Sequence, residues 1–154
     1  MSAIEAKLQA MGLELPEAAA PVAAYVPCVR TGNLLFVSGQ IPREKGETRF
    51  RGHVGGEISL EHGAEAARLC VLNALAIVKK ELGSLDAVRR VVKLTGYVAS
   101  APGFHQQPKV VDGASLLLVE LFGERGQHAR AAVGVNELPL GVSVEVDLIV
   151  EIES

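Results

Sequence analysis

The sequence has no tryptophan, and its two tyrosines and four phenylalanines bring the aromatic share to only 4% of 154 residues. With so few large rings the core has to be assembled from Ala, Val and Leu, and an apolar content of 49% supplies enough of them. The only two cysteines, Cys28 and Cys70, fall in predicted strand and helix interiors without CxxC spacing. That favours buried thiols over a disulfide or a nucleophile, and points to a reducing compartment. No apolar run reaches the ~18 residues that span a bilayer, and the start, Met1-Ser2-Ala3-Ile4-Glu5, lacks a charged segment followed by an apolar one. A cytoplasmic protein with no membrane partner is expected.

Positive charge is also scarce: 15 Lys and Arg stand against 18 Asp and Glu, a net charge of −3. The nearest basic cluster, Lys79-Lys80 followed by Arg89-Arg90, carries no aromatic residue, so no nucleic-acid partner is expected. His53, His62, His105 and His128 show no ligand spacing, and neither HExxH, GxGxxG nor a Walker pattern occurs. No metal, nucleotide or other cofactor is expected.

What is present suits a single domain, one that buries roughly two-thirds of its unfolded surface. Ile4, Leu8 and Met11 recur at helical spacing before Gly12, so residues 3–11 read as a short leading helix. Pro16, Pro21 and an alanine run form an extended lead-in. The expected division of 1–154 is a helical extension over 1–20 and a main body over 21–154. Val22 to Val29 and Leu34 to Val37 read as strands joined by the turn Arg30-Thr31-Gly32-Asn33 and closed by Ser38-Gly39-Gln40-Ile41-Pro42. Residues 43–56 read as a charged, glycine-rich loop with a short edge strand at Arg49-Phe50-Arg51. A helix is expected over 60–82, between Ser59 and Gly83, and a second from Lys109 to Phe122, with the strand Arg90 to Val98 between them.

Near the C-terminus two alternating runs flank Leu138-Pro139-Leu140-Gly141. Successive strand side chains point to opposite faces, so Ala131, Val133 and Val135 share one face while Arg130, Ala132 and Gly134 share the other. In the last run Val144, Val146, Leu148, Val150 and Ile152 make an apolar face, opposite Ser143, Glu145, Asp147, Glu151 and Glu153. The element order implies an α+β two-layer sandwich, one mixed sheet with two helices packed on one face. Parity places Arg130, Glu145, Lys93, Gly39 and Val37 on the open face. Valines and alanines there are most simply buried against copies of the chain, so a homo-oligomer, trimer or dimer, is expected.

Arg130 and Glu145 are the candidate catalytic residues. A guanidinium fork matches a carboxylate, the Gly39 N–H could complete that grip or polarise a reacting carbon, and Glu145 can position and deprotonate water. On a simple hairpin Arg130 would lie ~13 Å along the strands from Glu145, so either another strand lies between them or the pocket spans two subunits. A nearby Arg130 would hold the Glu145 carboxyl below its usual value of about 4.3, and a bound substrate carboxylate would partly cancel that effect. The plainer alternative is a surface ion pair.

These residues carry a resemblance. Tyr25, the Gly32-Asn33 turn, Ser38-Gly39-Gln40-Ile41-Pro42, the Ala67 to Asn73 helix, Val91-Val92-Lys93, Ala129-Arg130, Leu138-Pro139 and Val144-Glu145-Val146 occur in the order of the YjgF/RidA family of reactive-intermediate imine deaminases. Over residues 21–152 the chain resembles that family. The resemblance implies a chorismate-mutase-like fold, a homotrimer with clefts between subunits, and hydrolysis of 2-imino or 2-enamino acids to 2-keto acids and ammonia. It implies Arg130 as carboxylate anchor, Glu145 as water-positioning residue, and Tyr25, Ser38 and Gly39 as substrate-binding residues. The implied partners are small carboxylate-bearing imino or keto acids. Ala132 stands where many members have a cysteine, which removes a thiol role, and Ser115 is only the nearest match to the family's polar residue on the second helix. Residues 103–113 and the N-terminal helix look like additions. The alternative function is a non-catalytic trimeric binding or regulatory protein for small carboxylate metabolites. A ribonuclease activity fits the acidic balance and the missing histidine pair poorly.

Overall fold

A computed structural model describes residues 2–20 and 24–153. Helix α1 (Ala3–Ala10) begins in a capping box, in which the Ser2 hydroxyl accepts from the Glu5 N–H and the Glu5 carboxylate accepts from the Ser2 N–H. The Asp86 carboxylate accepts from the Ala3 and Ile4 N–H groups, and Ile4 and Leu8 are buried, so this helix is docked at both its end and its face.

Pro21 of the lead-in and Val22, the expected start of the first strand, lie outside the described residues. Strand β1 (Cys28–Thr31) pairs with β2 (Leu34–Gln40) as the expected hairpin. Two short strands, β3 (Arg43–Glu44) and β4 (Glu47–Thr48), turn through Lys45 and Gly46, both at positive φ. The edge strand expected at Arg49-Phe50-Arg51 does not form. Phe50 takes a left-handed φ of 57°, which no strand contains, and Arg51 makes one isolated bridge to Val142.

Helix α2 (Leu60–Leu82) has the expected limits, with the Ser59 hydroxyl accepting from the His62 N–H and Gly83 closing it at φ 84°. Strand β5 (Val88–Ala99), helix α3 (Gln107–Phe122), strand β6 (Ala129–Val135) and strand β7 (Val144–Ile152) complete the chain.

The five-stranded sheet runs β1-β2-β7-β5-β6, antiparallel except for the β5–β6 pair. Parallel neighbours need a crossover, and α3 supplies it. Both helices pack on one face, where Leu35, Leu94, Leu148 and Val150 meet Ala67, Leu75 and Leu118 in the buried core. Each fully buried leucine contributes roughly 2 kcal/mol. The helices approach closely at Gly113, where a Cβ would overlap the Ala64 carbonyl oxygen. The result is the two-layer α+β arrangement expected. No described helix is long and apolar enough to cross a membrane.

One assignment of faces is reversed. Leu94, Gly96 and Val98 of β5 face the helices, and β6 lies in register with Leu94 opposite Arg130, Gly96 opposite Ala132 and Val98 opposite Gly134. Arg130 therefore points under α3 rather than onto the open face. The reason is steric. A Cβ on Gly134 would come within 2.7 Å of Gln107 Nε2 and one on Gly96 within 2.5 Å of Val111 Cγ2, so α3 lies close over the small-residue side of these strands. Val133, 41% exposed, is left on the open side. Val37 also points into the core, at 4% exposure, and Ser143 is buried. Lys93 and Glu145 do lie on the open face, in a surface that includes Val29, Phe36 and Ile149.

Candidate functional site

Two polar clusters stand on opposite sides of the sheet. On the open face, β2 and β7 pair Val37 with Leu148 and Gln40 with Val146, which sets two residues of β2 against one of β7, so a bulge falls at Ser38-Gly39. The bulge brings the Gly39 backbone against the Glu145 carboxylate, and a Cβ at Gly39 would lie 3.0 Å from Glu145 Cδ and overlap Oε2. Only glycine leaves the carboxylate room. The Ser38 hydroxyl donates to the Val26 carbonyl at 2.7 Å and ties β2 to the segment before β1.

Glu145 sits directly across from Tyr97 of β5. The Tyr97 hydroxyl donates to Asp147 Oδ2 at 3.1 Å, which places two carboxylates and a phenol on neighbouring positions of one face. Burial pushes the Glu145 carboxyl above its ordinary range, and the charge of Asp147 pushes it in the same direction. This reverses the expectation from sequence, because Arg130 is on the far side of the sheet and β5 lies between its strand and β7. Tyr97 is likewise raised, by burial first and by Asp147 second. Beside Glu145 the face opens into a depression of about 310 Å³ whose lining includes Ser38, Gly39, Lys93, Thr95 and Asp147.

Beneath α3, Asp112 and Ser115 are three residues apart and share one side of the helix. Arg130 Nη1 donates to Asp112 Oδ1 at 2.7 Å and to the Ser115 hydroxyl at 3.2 Å. Both contacts use Nη1. The Nε and Nη2 edge, the fork that grips a carboxylate side-on, has no protein partner among the described residues. Ser115 Oγ lies 2.9 Å from His128 Nε2, and His128 Nδ1 lies 2.6 Å from the Gly126 carbonyl oxygen.

Of the residues expected to act together, Gly39 and Glu145 meet, Ser38 is adjacent, and Arg130 does not join them within one chain. Tyr25, 60% exposed, stands before β1 and makes no side-chain hydrogen bond to Glu145 or Arg130 among the described residues. Tyr97 and Asp147 were on the polar strand faces by alternation, but nothing in the sequence paired them. Asp112 and His128 gave no signal, because their link to Arg130 depends on where α3 crosses β6. Among the described residues no group of three or more His, Cys, Asp or Glu side chains is placed to hold a metal ion.

A five-stranded mixed sheet with both helices on one face and a bulge in β2 beside its central strand defines an α+β architecture that known proteins share. The sequence profile of the family described as YjgF/chorismate mutase-like, putative endoribonuclease, matches residues 5–152, and the chain belongs to that family. Protein TCP17 of Trypanosoma cruzi is 45% identical over 152 residues, 98% of this chain and 95% of that protein. The crystal structure of Atu1372 from Agrobacterium tumefaciens, a protein described as of unknown function, is 49% identical with a TM-score of 0.93, covering 98% of this chain and 93% of that one. A 2-iminobutanoate/2-iminopropanoate deaminase of Dermatophagoides farinae is 29% identical over 141 residues, 92% of this chain and 95% of that protein.

Proposed function

We propose that the chain hydrolyses small 2-imino or 2-enamino acids to 2-keto acids and ammonia, in a cleft completed by two copies of a cytoplasmic homotrimer. The observation that carries this reading is the Glu145 carboxylate resting over the bulged Gly39 on an uncovered sheet face, with its proton affinity raised by burial and Asp147. A raised pKa makes Glu145 a stronger base than an ordinary surface carboxylate. Arg130 and Glu145 point to opposite sides of their own sheet, so the Arg130 fork that serves a given Glu145 comes from a neighbouring copy. The relative named as an imine deaminase supports the same chemistry.

In the reaction, the Arg130 fork holds the substrate carboxylate while Glu145 takes a proton from water as the oxygen bonds to the imine carbon. Glu145 hands that proton to the nitrogen to give a neutral carbinolamine; the hydroxyl proton then passes by way of Glu145 to the amine, the C–N bond breaks as the C=O bond forms, and ammonia leaves behind a keto acid. Gly39, Ser38 and Tyr25 shape the mouth around the bound acid. Clearance of 2-iminopropanoate generated in situ tests this. Glu145→Gln is expected to slow it by ~10²–10⁴-fold, the range of a general base, and equal rates would end the proposal. Arg130→Ala mixed with Glu145→Gln is expected to regain about a quarter of wild-type activity, since random reassembly leaves that share of two-copy sites intact. A one-chain site regains none.

A second reading, a binding or regulatory protein for small carboxylate metabolites, draws on the Arg130–Asp112 pair, which holds the guanidinium ready for a carboxylate whether or not turnover follows. It predicts a rise in melting temperature with a keto acid and no imine clearance.

A further inference from the structure

Beneath α3 the chain sets a serine hydroxyl against an imidazole at hydrogen-bond distance, apart from the Glu145 cluster and unused in imine hydrolysis. Ser115 Oγ and His128 Nε2 are 2.9 Å apart, and His128 Nδ1 is 2.6 Å from the Gly126 carbonyl oxygen. A carbonyl oxygen can only accept, so Nδ1 carries a proton, and in the neutral ring Nε2 is the acceptor of the Ser115 hydroxyl proton. That is the orientation in which a histidine withdraws a proton from serine, with the Gly126 carbonyl orienting the base where a carboxylate does so elsewhere. A serine inside a helix usually bonds back to the carbonyl one turn earlier; Ser115 is turned outward to the ring instead. Both residues are partly exposed, so a ligand can reach them. Arg130 Nη1 donates to the same hydroxyl oxygen at 3.2 Å, and Asp112 fixes that guanidinium from the other side.

We infer that Ser115 is a nucleophile with His128 as its general base, and that the pair cleaves esters of small acids that carry a second, free carboxylate. The carboxylate requirement comes from the Nε and Nη2 edge of Arg130, on the same guanidinium whose Nη1 contacts Ser115 and matched to such a group. In the first step Ser115 Oγ bonds to the acyl carbon as its proton passes to His128 Nε2. The carbonyl electron pair moves onto oxygen, with Arg130 Nη1 the nearest donor. Collapse breaks the bond to the alcohol, which leaves with the proton from Nε2. Water then attacks the acyl group, gives its proton to the ring, and releases the acid as Ser115 recovers that proton. No further reactant is required. This inference shares the Arg130 fork with the imine reading but does not rest on it, because one chain suffices and neither Glu145 nor Gly39 takes part.

The experiment treats the full chain with a fluorophosphonate, which phosphonylates activated serines, and maps the adduct by peptide mass spectrometry. An adduct on Ser115 is expected, formed at least ~100-fold more slowly in His128→Gln, within the range a general base contributes. The wild-type protein alone decides the first point: no adduct, or one confined to another residue, overturns the inference whatever the variants do. An unchanged rate in His128→Gln overturns the role of the base. For the substrate class, p-nitrophenyl hydrogen succinate should release its phenol at least ~10-fold faster than p-nitrophenyl butyrate at equal concentration. Equal release overturns the carboxylate requirement.

Discussion

Where α3 lies over the sheet, space is the governing quantity: Gly96 and Gly134 accept the helix, Ala132 lies in line with them, and Arg130 reaches past them to Asp112 and Ser115. Across the same strands, on the uncovered side, Glu145, Asp147, Tyr97 and Lys93 project from a surface that also shows Val29 and Phe36. The first region is organised by contact between backbones and the second by charge with little to neutralise it. One sheet thus separates a face held by close helix packing, with Arg130 at its margin, from a face whose carboxylates stand uncovered, and substitutions on the two sides should fail in different ways.

The largest effect is expected at a close contact between the helices. Gly113→Ala drives a methyl into the Ala64 carbonyl, and because both partners are backbone the strain cannot be relieved by a side-chain rotation. A loss of about 3 kcal/mol follows, a fall in melting temperature of ~10 °C in a chain of this size, read by calorimetry. Any imine clearance per folded molecule should survive. A stable Gly113→Ala protein would show that the covered face tolerates movement and would weaken the contrast.

Gly39→Ala is the counterpart on the open side. The methyl meets the carboxylate of Glu145, so that side chain must move while the sheet beneath stays intact. The expected result is a ~10²-fold slower clearance, typical of an ångström-scale misplacement, with a melting temperature close to wild type. Loss of stability without loss of rate would mean that the bulge serves the fold alone.

How far the sequence revealed this division depends on the range of the interactions. Helix α2 was legible to its last residue because its limits are local signals, the Ser59 cap and the Gly83 stop. Strands β5, β6 and β7 were legible from alternation. The side on which Arg130 falls was not, because alternation defines two faces without saying which one meets the helices. On β6 the choice was made by size: α3 requires small residues beneath it, and the valines went outward. The carboxylate pairing of Glu145 with Asp147 was visible as spacing, whereas its link to Gly39 required a bulge that only the β2–β7 register reveals.

Asp147→Asn should have a smaller, graded effect on the open face. Asp147 is the second cause, after burial, of the raised Glu145 pKa, so its neutralisation moves that pKa down. Glu145 acts as a base only when ionised, and the acid limb of the clearance profile should therefore shift to lower pH. The same raised pKa has a consequence for stability. The folded state holds the Glu145 proton more tightly than the unfolded chain does, so this contribution is present at low pH and is lost as pH rises through the folded-state value. Glu145→Gln should accordingly raise the melting temperature at neutral pH and leave it unchanged in acid, the reverse of what removing a stabilising ion pair would do.

The smallest effect is expected from the one charged pair on the covered face. Arg130 and Asp112 are 2.7 Å apart, yet their side chains are 23% and 47% exposed, so solvent screens the pair. Asp112→Asn should cost only about 0.5–1 kcal/mol, a change of ~2–3 °C that diminishes further in high salt. Function is the more sensitive gauge. Without Asp112 the guanidinium keeps its Ser115 contact and loses the partner that orients its free edge, so half-saturation by a carboxylate substrate should rise several-fold while the maximal rate changes less. An Asp112→Asn protein that loses maximal rate and keeps its affinity would place Arg130 in the chemical step itself. The division between a holding face and a reacting face would then run through the guanidinium rather than through the sheet.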